Sequence, residues 1–190
     1  MAPGLFREWR GEWRLRRGTV AYVAGISEDP DADDVRWLAT VVTGGDLDRS
    51  RWELRYARRA LGLLAAERDA LDDRTGSLVA RALSEALLVD RNVAAGMVRV
   101  AERQFNDRLG MYRRVLSSRD AEEGTGARLG RALLQAAGAS PLVDDEAVAR
   151  GGALLARYLG SANEALRRCF GAPSLPEDQP PSAFQGRSKP

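Results

Sequence analysis

The densest chemistry in the chain lies between residues 49 and 59, where Arg49, Arg51, Arg55, Arg58 and Arg59 surround Trp52 and Tyr56. On a helix, Arg51, Arg55 and Arg58 fall on one edge at i, i+4 and i+7, with the two aromatic residues one position round from it. Guanidinium forks grip phosphate oxygens and aromatic faces stack bases, so this edge is a candidate surface for RNA or DNA backbone. The competing reading is an ordinary amphipathic helix, with the aromatic residues in the core and the arginines on a solvated flank. A second basic run holds Arg99, Arg103, Arg108, Arg113, Arg114 and Arg119. Glu102, Asp107 and Asp120 interleave with it, and alternating signs mark a salt-bridged solvent face. Arg103 and Arg108 are its candidates for phosphate contact.

The third constellation is N-terminal. Phe6, Trp9 and Trp13 share a short amphipathic helix with Arg7, Arg10 and Arg14. Such a helix can insert into a partner's groove, lie on an anionic membrane surface, or pack on its own bundle. Of the first two, docking on a protein is favoured, because one short segment anchors weakly in lipid.

Catalytic constellations are missing. The chain has twenty-eight arginines against one lysine and no histidine. Histidine is the usual general base and metal ligand, so haem and zinc sites built on it are excluded. Asp33-Asp34, Asp72-Asp73 and Asp144-Asp145-Glu146 lie near helix boundaries, where carboxylates meet the positive end of the helix dipole, and none has an acidic residue four positions further inside a helix. They read as caps rather than magnesium ligands. Gly124, Gly126 and Gly130 lack the spacing and the preceding strand of a dinucleotide turn. Cys169, the single cysteine, has no histidine to activate it and reads as a small core residue. The expectation is a protein without catalytic residues, cofactor or metal. Net charge is only +2, so any basic site must be local, and a GC-rich genome accounts for much of the arginine excess.

Apolar periodicity near 3.6 runs through almost the whole chain and predicts an all-α bundle of about six or seven helices. The N-terminal helix spans about 5–17 and ends at Gly18. Residues 19–26 are β-prone and read as an extended connection or a poorly marked helix. Asp31 or Asp33 caps a helix carrying Val35, Leu38 and Val42, and Gly44-Gly45 stops it. Ser50 and Glu53 have capping-box spacing ahead of a helix to about Leu71. Thr75 or Ser77 caps the next, and Asp90 to Asn92 is either a break or a continuation. The longest apolar stripe is Val93, Met97, Val100, Phe105, Leu109, Tyr112 and Leu116. A short helix ends at Gly138, Ser140-Pro141 opens the last one, and Gly171 with Pro173 stops it. The organisation is then an amphipathic helix at 1–18, a bundle domain at 31–171, and a Pro-rich tail at 172–190 too poor in apolar residues to offset ordering. No apolar run reaches the length of a membrane span, no signal-peptide core is present, and the lone cysteine suits a reducing cytoplasm.

Residues 75–135 resemble the small α-helical subunit of type I CRISPR surveillance complexes. The comparable stretches are Thr75-Gly-Ser-Leu-Val-Ala-Arg-Ala-Leu83 and Val100-Ala-Glu-Arg-Gln-Phe-Asn-Asp-Arg-Leu109. The resemblance implies basic helical faces that hold nucleic-acid backbone, which would fall to Arg103, Arg108, Arg113 and Arg114. It covers about a third of the chain. The aspartate–tryptophan pair expected before the following helix is absent, and the helix over 141–170 has no counterpart in the pattern.

The sequence thus leads to a non-enzymatic helical interaction protein, a subunit or adaptor that binds a protein partner or itself through Phe6, Trp9 and Trp13. The alternative is a helical protein that binds nucleic-acid backbone through Arg51, Arg55, Arg58, Arg103 and Arg108.

Overall fold

A computed structural model describes residues 3–69, 73–118, 123–140 and 144–171, with side chains from residue 11 onward. Among these residues the chain forms seven α-helices and no strand: α1 (Pro3–Ile26), α2 (Ala32–Val41), α3 (Leu47–Asp69), α4 (Asp73–Leu88), α5 (Val98–Ser117), α6 (Thr125–Ala137) and α7 (Asp145–Phe170), with a 3-10 turn at Ala95–Met97. The all-α bundle is as expected. The tail expected at 172–190 lies outside the described residues.

Helix α3 is the central post and lies against all six others. Every residue from Leu54 to Ala66 except Arg58 is buried. Small residues permit this: Ala57, Ala60, Gly62, Ala65 and Ala66 let neighbouring helices approach on several sides. The core around it is filled by Leu38 of α2, Val79 and Leu83 of α4, Phe105 and Tyr112 of α5, Leu133 and Leu134 of α6, and Leu154 and Leu155 of α7. Trimming one of these leucines to alanine would cost about 2–5 kcal/mol.

Several element boundaries differ from the sequence reading, each for a physical reason. Gly18 does not end the first helix. A Cβ there would sit 2.7 Å from the Cys169 carbonyl oxygen and 3.1 Å from the Phe170 ring, so this glycine lets α1 and the end of α7 cross closely. Residues 19–26 continue the helix despite their β-propensity, because Tyr22, Val23 and Ile26 enter the core and the Tyr22 hydroxyl donates to the Gly62 carbonyl at 2.7 Å. Ser50 is not an N-cap. Asp46 takes that place, accepting the Arg49 amide at 2.9 Å, while Ser50 is buried one turn in and shares a hydrogen bond with Thr43. Helix α4 begins at Asp73, before Thr75 and Ser77, and α7 begins at Asp145 behind the Asp144 cap rather than at Ser140. Asp31 does cap α2, accepting the Asp33 amide at 2.7 Å. The 90–92 region is a break. Met97 and Val100 leave the apolar stripe and are exposed, whereas Phe105 and Tyr112 are buried as expected. Gly138 (φ +98°) and Gly171 (φ +90°) do end their helices. Gly130 and Gly152 have a packing role: a Cβ at Gly130 would collide with the Val148 carbonyl and one at Gly152 with the Gly126 carbonyl, so the α6–α7 crossing is built on bare backbone.

Candidate interaction surfaces

The two halves of α1 face different surroundings. From Gly18 onward every third or fourth residue enters the core. From Gly11 to Arg17 every residue is exposed except the half-buried Leu15. Trp13 is 52% exposed, and Val20, one heptad further on the same face, is 68% exposed. The Arg17 guanidinium lies 5.4 Å from the Trp13 ring centroid, which shields part of the indole without removing it from water. Glu12 pairs with Arg16 at 3.0 Å and reaches Arg74 at 3.7 Å. These are exposed pairs, worth at most about 1 kcal/mol each. Phe6 and Trp9 stand on the helical backbone of the same element, and their side chains lie outside those described.

The arginines of α3 behave differently. Arg51 keeps partial exposure and pairs with Asp48 at 2.7 Å. Arg55 is only 5% exposed: its Nε donates to Asp29 at 2.8 Å, and its guanidinium lies 4.8 Å from the Trp52 ring centroid. Arg58 donates to the Gly25 carbonyl at 3.0 Å and to Glu28 at 2.8 Å, and sits against the Tyr158 ring. Arg55 and Arg58 therefore converge on residues 25–29, the turn that joins α1 to α2. The expected solvent edge of Arg51, Arg55 and Arg58 is corrected to one accessible arginine and two internal braces. Tyr56 is buried, and Trp52 has Arg55 beside one ring and Tyr56 tilted at 5.5 Å, so the pair is not an open stacking platform.

Two buried ion pairs were not legible in the sequence. Arg59 and Asp90 meet at 2.6 Å, each side chain only 7% exposed. Burial of Asp90 works against its charge. The hydrogen bonds from Arg59 and from the Asn92 amide and side chain outweigh it, so the carboxyl is held below its ordinary value. The Nε and Nη1 of Arg59 are buried without a partner among the described residues, which leaves Asp90 to compensate the guanidinium. Arg108 forms a two-pronged pair with Glu53 at 2.8 and 2.6 Å and also donates to the Ala136 carbonyl at 3.1 Å. The hydrogen bond to Glu53 raises the Arg108 pKa. Arg108 thus clamps α5 to α3 and to the end of α6, with its guanidinium engaged by Glu53 and the Ala136 carbonyl. Glu53, read as half of a capping box, is its partner across 55 residues. Arg103 is exposed on α5, apart from this clamp.

Between α3 and α5 runs a groove of about 530 Å³, lined also by the turn before α5. Trp52, Val93, Met97 and Val100 lead its apolar lining, and Arg49, Glu53, Tyr56, Asn92, Gln104 and Arg108 form its polar one. The Tyr56 hydroxyl, whose pKa is raised by burial, donates to the Gln104 side-chain oxygen at 3.0 Å. No described helix is long and apolar enough to cross a membrane. Compared with protein-family models, with proteins of curated function and with solved structures, the chain gives no match.

Proposed function

We propose that this chain is a non-enzymatic helical interaction protein of the cytoplasm, a subunit or adaptor of a larger assembly, and that it engages its protein partner through the first half of α1. The observation that carries this reading is the exposure of Trp13 on a helix whose second half is anchored in the core. A tryptophan more than half in water forgoes the burial that makes this side chain valuable at interfaces. Helix α1 presents it rigidly, because Tyr22 and Ile26 fix the axis, and the arginines around it add charge to the contact. Phe6 and Trp9 extend the same face by sequence.

The test is native mass measurement of the full chain recovered from its host, beside a chain lacking residues 1–17. The full chain is expected in a complex of defined composition. The truncated chain is expected alone, with a cooperative thermal transition. If the truncated chain fails to fold, or keeps the complex, the reading fails.

The nucleic-acid alternative draws its support from Arg51 and Arg103, since Arg55, Arg58 and Arg108 are engaged by internal acceptors. Backbone-directed binding weakens steeply with salt. A flat fluorescence-anisotropy titration with single-stranded RNA and DNA at low ionic strength would reject it.

A further inference from the structure

The groove between α3 and α5 has a chemistry that α1 does not share. Met97 is 52% exposed and Val100 38%, both on its lining. Exposed apolar side chains are common singly; here they line a concavity with the edge of Trp52 and with Val93, of a size and composition typical of small-molecule sites. The polar groups of the lining are not balanced. Glu53 is spent, because Arg108 donates to both of its oxygens. Gln104 has its oxygen occupied by the Tyr56 hydroxyl, which leaves its amide group to donate. Arg49 is exposed and pairs with no carboxylate among the described residues; its guanidinium rests against Gly138 at the end of α6. Arg108, the other charge of the lining, is spent on Glu53. The one uncommitted charge of the lining among the described residues is therefore the positive Arg49, and most of its wall area is apolar.

We infer that this groove is a binding site for a small anionic amphiphile: an apolar body seated on Met97, Val100 and Trp52, with an acidic head received by Arg49 and the Gln104 amide. The site is independent of the α1 surface and stands if that reading falls.

The test uses anilinonaphthalene sulfonate, which fluoresces when its rings leave water, and phenylnaphthylamine, the same rings without the acid. Titrated into the full chain, the sulfonate is expected to saturate at one site. The neutral probe should bind at least about tenfold more weakly, the loss of one charge-assisted contact. Arg49→Glu should weaken the sulfonate by at least about tenfold and leave the neutral probe unchanged. Val100→Asp should weaken both, and Trp13→Ala neither. Unfolding curves accompany each variant, and the comparison of the two probes on the unaltered chain needs no variant at all. Unsaturable binding, equal affinity for the two probes, or full sulfonate affinity in Arg49→Glu with a normal unfolding curve would each overturn the inference.

Discussion

Helices α1 and α3 carry arginine at the same three- and four-residue spacing, beside tryptophan, yet the two sets have opposite surroundings. In α3, Arg55 and Arg59 are buried and Arg58 is one-fifth exposed, each held by an acceptor from another element. In the first half of α1, Arg16 is 73% exposed, and its partner Glu12 lies one turn away on the same helix. The difference lies in what surrounds each helix. From Leu54 to Ala66 helix α3 is enclosed, so guanidinium groups that cannot shed their charge there are held by Asp29, Glu28 and Asp90. From Gly11 to Arg17 the arginines of α1 are exposed, and Arg16 meets a carboxylate of its own helix. Arginine spacing alone therefore does not identify a binding face; the reach of a carboxylate from another element decides it.

This contrast can be broken by mutation. The largest effect belongs to Asp90→Ala, which strands the buried Arg59 charge and should cost about 3–5 kcal/mol in urea unfolding. A cost below about 1 kcal/mol would mean that Arg59 is solvated like an arginine of α1. Next comes Glu53→Gln, which removes the charge from the clamp on Arg108 and should cost about 2–3 kcal/mol by the same measurement. A third test is acid stability. The Asp90 carboxyl titrates below its ordinary value in the folded chain, so its contribution is complete above that ordinary value, near pH 4, and is lost as pH falls through the lowered one. Thermal unfolding between neutral and strongly acidic pH should show this loss, and Asp90→Asn should flatten the Asp90-dependent part of the acid limb. The smallest effects are expected in α1: Arg17→Ala and Trp13→Ala should each change stability by no more than about 0.5 kcal/mol. A larger cost would place Trp13 in the core and erase the contrast.

The helical class was legible because apolar periodicity survives wherever a helix packs on one face. The boundaries were less so. Gly18 has the sequence signature of a stop, yet it is a crossing point with Cys169 and Phe170, 151 and 152 positions away in the chain. Residues 19–26 have strand-like composition, and core packing of Tyr22 and Ile26 overrides it. The sequence left the Trp13 helix open between docking on a partner, a membrane surface and its own bundle; the structure leaves Trp13 52% exposed. The fates of Arg55, Arg58 and Arg108 were hidden, because their acceptors lie 26 to 55 residues away and no local pattern marks them. Gly130 belongs to a close helix crossing with Gly152 of α7 rather than to a nucleotide turn, and its partner lies too far along the chain for a local pattern to show it.

The claim that α1 is anchored at one half and presented at the other is tested most directly by the chain that begins at Gly18. Its unfolding midpoint and its native mass, recorded beside those of the full chain from the same host, read the two halves separately. The expected result is a midpoint within about 2–4 °C of the full chain, the shift of about 1 kcal/mol in a chain of this size, together with loss of the higher-mass complex. A collapsed midpoint, or an undiminished complex, would contradict it.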